Sequence, residues 1–297
     1  MEWLDNLLPA LLVTSIKYGS NDRGEYGVFS GCTSLKSVII PESVTEICGG
    51  AFSGCTSLES ITIPPSVQII DGEEYGGGAF SHCVALENVI LSEGLTEIGE
   101  DAFSYCALRS IAIPASVKTI KPGAFKGCTS LESFSGPLAT DDGRGLVIDG
   151  KLVGVLQRNL TEFVVPEGVT EIEKYAFQGC SSLKNISLEE GVTVIAERAF
   201  DECESLREIS LPDSLTTIGK DLLIRCSSLE CIKVGPKLFA DTKYLKETFP
   251  VQQYRMIQKT NNCQRSKPPT ITKKHPEIGV LFCYHKLCCF KTHPNHN

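Results

Sequence analysis

Cysteine and histidine carry the most chemistry in this chain of 297 residues, and most of them fall into two groups. The stretch CYHKLCCFKTHPNH (283–296) gathers Cys283, His285, Cys288, Cys289, His293 and His296. Thiolate and imidazole are zinc ligands, so these six are the candidate metal-binding residues, but they crowd together where zinc sites usually pair C-x2-4-C with a separate H-x3-5-H. Eight other cysteines (Cys32, Cys55, Cys83, Cys106, Cys128, Cys180, Cys203 and Cys226) recur at one fixed place in a repeated phrase. Such a column reads as buried structure, because free cysteine packs as a small hydrophobe. This usage suits a reducing compartment better than a secreted disulfide scaffold.

Two glycine-rich stretches have the look of phosphate cradles. Gly145-x4-Gly150-Lys151 has the spacing of a phosphate-binding loop, but Leu152 stands where Ser or Thr would hold magnesium. Asp149-Gly150 between two apolar runs instead predicts a hairpin. In GEEYGGG (72–78), Glu73 and Glu74 would repel an anion, and the segment reads as a loop inserted between repeats. His82 is the one histidine inside the repeated region, in a slot that other copies fill with Gly. Glu59, Glu87, Glu132 and Glu230 share their column with Lys36, Arg109, Lys184 and Arg207, the mixed pattern of a solvated face. No nucleophile–base set or carboxylate pair emerges. The chain therefore reads as non-catalytic, with no cofactor expected.

The repeated phrase is clearest in AFSGCTSLESITIPPSV (51–67). Aligned on Phe29, Phe52, Phe80, Phe103, Phe125, Phe177, Phe200 and Leu223, the copies are spaced by 23, 28, 23, 22, 52, 23 and 23 residues, the 52 being two units plus an insertion. Self-similarity at this period, with Leu at fixed offsets, marks a leucine-rich repeat solenoid. Each unit holds an L-x-x-I-x-I stretch, rich in β-branched residues and usually closed by Pro, and then a V-T-x-I stretch; both predict short strands. A unit this small cannot bury its own apolar face, so the copies must stack and serve as one another's core.

The wording AFSGCTSLESITIP (51–64) and GVTEIEKYAFQGC (168–180) resembles the BspA-like, or treponemal-type, leucine-rich repeat proteins over about residues 13–234. The fold expected is mainly β: a leucine-rich repeat solenoid of about eight 22–28-residue units with a hairpin insertion. Residues 1–250 would form this body, from the truncated repeat VTSI (13–16) to a C-terminal cap; residues 251–297 would form a basic tail, expected to be disordered. The resemblance implies a binding role without catalysis, as scaffold or surface adhesin.

Alternation along a strand sends the residue between two buried positions outward. Ile39, Thr62, Ile90, Ala112, Ser135, Ser187, Ser210 and Lys233 form that column, with Asn185 in the preceding one. Ile39, Thr62, Ile90, Ala112, Ser135, Asn185, Ser187 and Ser210 are the candidate contacts for a protein or peptide partner. Asn159 and Asn185 also open the sequons NLT and NIS.

Charge separates body from tail. From Val251 onward there are eight Lys or Arg and one acid, a net of +7, which leaves the body at −15 within the chain total of −8. Such an acidic body is unsuited to nucleic acid, whereas the tail supplies the alternative reading, zinc or nucleic-acid binding through its Cys/His cluster. Apolar runs fall well short of the roughly 18 residues of a membrane span. Glu2 and Asp5 stand where a signal peptide would be positive. A cytoplasmic setting is therefore expected over the cell surface.

Overall fold

The computed structural model describes residues 15–16, 18–21, 24–73 and 77–265. Each unit of the sequence forms one coil with two strand positions, which we call front (L-x-x-I-x-I) and back (V-T-x-I). The back strands are two residues long and stack in parallel: Ser15–Ile16, Glu46–Ile47, Ile69–Ile70, Glu97–Ile98 and Thr119–Ile120 form one five-stranded sheet. The pairing of Ser15 with Glu46 shows that the truncated first repeat supplies a genuine rung. The segment after it contains the antiparallel hairpin Tyr18–Asn21 with Gly24–Gly27. The GEEYGGG insertion is likewise closed by antiparallel pairing, of Gly72–Glu73 with Gly77–Gly78.

Front strands pair in twos: Ser60–Ile63 with Asn88–Leu91, Ser110–Ala112 with Ser133–Ser135, Glu162–Val164 with Asn185–Ser187, and Glu208–Leu211 with Cys231–Val234. Alternate residues point inward and outward, so Ser60–Ile63 is exposed and buried residue by residue. The first front segment, Leu35–Ile40, has the same composition without strand pairing.

The phenylalanines stack ring on ring. Phe29, Phe52, Phe80 and Phe103 lie 5.1 to 5.2 Å apart with planes within 9°, the spacing that a rung of roughly 4.8 Å imposes. Beside them runs the cysteine column. The thiol of Cys55 donates to the Phe29 carbonyl at 3.1 Å, that of Cys106 to Phe80 at 3.2 Å, and that of Cys128 to Phe103 at 3.0 Å. Sequence placed these cysteines inside as small hydrophobes; from Cys55 onward each also satisfies a carbonyl of the preceding coil, using the weak S–H donor. Burial pushes the Cys55 thiol up to about 11 and that of Cys83 to about 12.

The coil between Phe125 and Phe177 is irregular. Gly145–Ile148 and Lys151–Val155 form the predicted hairpin, with Asp149 and Gly150 both at positive φ (48° and 77°), as a two-residue turn of its kind needs. Lys151 is held by Glu171 at 2.9 Å and Glu173 at 3.3 Å, so its charge is committed within the sheet. The hairpin also divides the core: Leu146, Ile148 and Leu156 pack with the N-terminal coils, Leu152 and Val155 with the C-terminal ones.

Three helices close the far end: α1 (Pro236–Ala240), α2 (Thr242–Thr248) and α3 (Val251–Arg265). The cap thus runs past the boundary placed at 250, into the stretch expected to be disordered. The physical reason is burial: Ile257 is fully enclosed with Leu245 and Phe249, and Gln253 donates to the Leu223 carbonyl at 3.0 Å. Among the described residues no helix is long and apolar enough to cross a membrane.

Candidate binding face

The front strands set the candidate residues in parallel register. Thr62 lies opposite Ile90, Ala112 opposite Ser135, and Ser210 opposite Lys233. Ile39, Thr62, Ile90, Ala112, Ser135, Asn185, Ser187 and Ser210 are all exposed. Ile39 and Ile90 are 82% and 61% exposed, a large apolar display for aliphatic side chains. Asn185 sits in register with Glu162, and Lys233 is paired with Glu208. Asn159 lies away from the strands, exposed at a turn with φ of 52°.

Two residues of this face were missed by sequence reasoning. Val164 stands opposite Ser187 and is 61% exposed, and Glu162 stands beside it. Their coil carries no Phe to align on; its slot is taken by Leu156, whose carbonyl accepts from the Cys180 thiol at 3.7 Å. The signal lay in TEFVVPEGVTEI (161–172), which keeps the front-strand and back-strand pattern.

The face is interrupted in its middle. Between Ser133–Ser135 and Glu162–Val164 the loop before the hairpin takes part of the ladder's place. Phe134 donates its N–H to the Gly143 carbonyl at 2.8 Å, and Arg144 donates through Nη1 to the Glu162 carbonyl at 3.0 Å. Beside this loop opens a cavity of about 380 Å³, lined by Thr140, Asp141, Asp142, Val147, Phe163, Val164 and Pro166.

The flanking charges behave as a solvated face. Arg109 meets Glu87 at 3.0 Å and Arg158 meets Glu132 at 2.6 Å, all with exposed side chains. His82 lies with its ring on Tyr105, centroids 4.6 Å apart. Both occupy the left-handed slot (φ 59° and 58°) that Gly31, Gly54 and Gly127 fill elsewhere, which explains the substitution pattern seen in sequence. No group of three or more metal-ligating side chains is found among the described residues. Cys283, His285, Cys288, Cys289, His293 and His296 lie outside them.

Residues 73–140 and 156–265, more than half of the chain, match the family described as BspA type leucine rich repeat region, in six copies. The chain belongs to this family. Solved structures give the same fold to its BspA-type coils. A leucine-rich repeat protein from Eubacterium ventriosum is 23% identical, with a TM-score of 0.50, over 67% of this chain and 60% of its own length. The pneumococcal vaccine antigen PcpA is 21% identical, with a TM-score of 0.52, over 76% of this chain and 68% of its own. Among curated proteins no sequence matches.

Proposed function

We propose that this protein is a non-catalytic interaction module that captures a protein or peptide partner on its front strand face. The observation that carries the reading is the register of that face. Small and aliphatic side chains from successive coils, Thr62 with Ile90 and Val164 with Ser187, lie side by side on a stacked backbone. Extended faces of stacked repeats typically serve as binding surfaces, and side chains with little rotamer entropy lose little on being covered. The thiol column supports a reducing, cytoplasmic setting, because the thiols from Cys55 to Cys226 must stay reduced to donate to their carbonyls. The alternative of zinc or nucleic-acid binding through the tail keeps its sequence support alone.

The test begins with peptides selected on the full chain from a phage-displayed library of random linear sequences. A variant carrying Thr62→Arg, Ser187→Arg and Ser210→Arg should keep the wild-type circular dichroism and lose these peptides by about tenfold or more. Peptides held equally well by wild type and variant would overturn the reading.

A further inference from the structure

The interruption in the front face is itself built, and it has a shape and charge of its own. Thr140 donates its backbone N–H to the Gly145 carbonyl at 2.9 Å and receives the Gly145 N–H on Oγ1 at 3.0 Å. Asp142 accepts from the Thr140 hydroxyl at 2.6 Å, from the Arg144 N–H at 2.9 Å, and from Arg144 Nε at 2.7 Å. Both oxygens of Asp142 are therefore used within the loop, and Arg144 is spent on Asp142, on the Glu162 carbonyl and on the Phe163 ring, 5.9 Å from its centroid. The loop needs no partner to hold its form, so its wall of the cavity is preorganised.

The remaining lining is of two kinds. Val147, Phe163, Val164 and Pro166 make an apolar wall, with Val164 continuous with the candidate face. Asp141 is exposed on the rim, and Glu162 and Glu167 are exposed on the residues adjoining Phe163 and Pro166. None of these three carboxylates forms an ion pair with a described residue. At about 380 Å³ the cavity falls within the roughly 300–1,000 Å³ of ligand pockets.

We infer that this cavity is the anchor of the binding face and takes a lysine or arginine side chain from an extended segment of the partner. The aliphatic stem would lie along Val147, Val164 and Pro166 while the cationic head meets Asp141 at the rim, the usual division of a long basic side chain between apolar and wet surroundings. Charge complementarity selects this occupant: Asp141, the unpaired carboxylate of the lining, is acidic, and the body carries −15, a field that draws in a basic partner and repels an acidic one. The inference rests on the proposed interaction role and adds its partner class.

The same peptide selection tests it, with two single variants of exposed residues, Asp141→Asn and Val164→Arg. Selected peptides should carry Lys or Arg beside apolar residues, weaken as sodium chloride rises, and bind each variant about tenfold less tightly. Peptides that bind both variants fully but are lost on the Thr62, Ser187 and Ser210 triple variant would overturn the anchor and leave the interaction face standing. Peptides indifferent to all these changes would overturn both. Enrichment of sequences without basic residues, or no enrichment at all, would likewise sink the anchor.

Discussion

Gly127 donates its backbone N–H to the side-chain oxygen of Gln157 at 3.0 Å, where the same position in other coils finds a backbone carbonyl. Gly54 donates to Ser81 at 2.8 Å, His82 to Ser104 at 2.8 Å, and Gly179 to Asp201 at 2.9 Å. The far end of the Gln157 amide completes the substitution, because Nε2 donates to the Gln178 carbonyl at 2.6 Å. A side-chain amide has the donor and acceptor of a peptide unit. Gln157 thereby carries the ladder across a coil whose own backbone has been displaced by the hairpin.

Gln157→Ala should leave the Gly127 N–H and the Gln178 carbonyl without these partners, costing about 1–3 kcal/mol. It should also loosen the coupling between the two core regions. In a linear array of repeats, stability passes through neighbour contacts, so urea unfolding should show a lower midpoint and a shallower slope than wild type. A variant matching wild type in both would show that the bridge is dispensable.

The cysteine column makes a pH prediction. Burial holds the thiols of Cys55 at about 11 and of Cys83 and Cys128 at about 12, against an ordinary value of 9.0. Between 9 and these raised values the unfolded chain loses protons that the folded chain keeps, so stability falls as pH rises through that window and is fully present below 9. Urea midpoints should drop on going from neutral pH to above 9, and Cys83→Ala should reduce the drop. A midpoint insensitive to alkali would refute the assignment.

Cys83→Ala removes the thiol that donates to the Phe52 carbonyl at 3.1 Å and opens a small void in a fully buried site. A loss of about 1–3 kcal/mol at neutral pH is expected, read from chemical denaturation. Phe80→Ala, which takes a ring from the middle of the stack, should cost more, about 3–5 kcal/mol.

The helical cap dictates where the tail can be removed. Helix α3 packs along the last strand, Cys231–Val234, and buries Ile257. A chain ending at Pro250 should expose that strand edge and aggregate, whereas one ending at Arg265 should fold and melt as the full chain does. Only the second truncation separates a tail-borne activity from the repeats; loss of peptide binding on it would move the function to the tail.

The form of the coil can be read from residue order. Its period, its ladders of Phe, Leu, Ile and Cys, and the outward small residues follow from strand alternation and from the need of each unit to bury itself in the next, both local or nearest-neighbour rules. Residue order also determines the Asp149-Gly150 turn, because few dipeptides adopt two positive φ values readily. What happens where the repeat fails emerges in three dimensions. That the 136–145 loop breaks the front face and that Asp141 borders a cavity both depend on how an irregular coil is seated between two regular ones. Periodicity carries no information about an element that departs from it. The cap follows the same logic: Ile257 is one of a few apolar residues in a mostly polar stretch, and only the open end of the solenoid gives it something to cover.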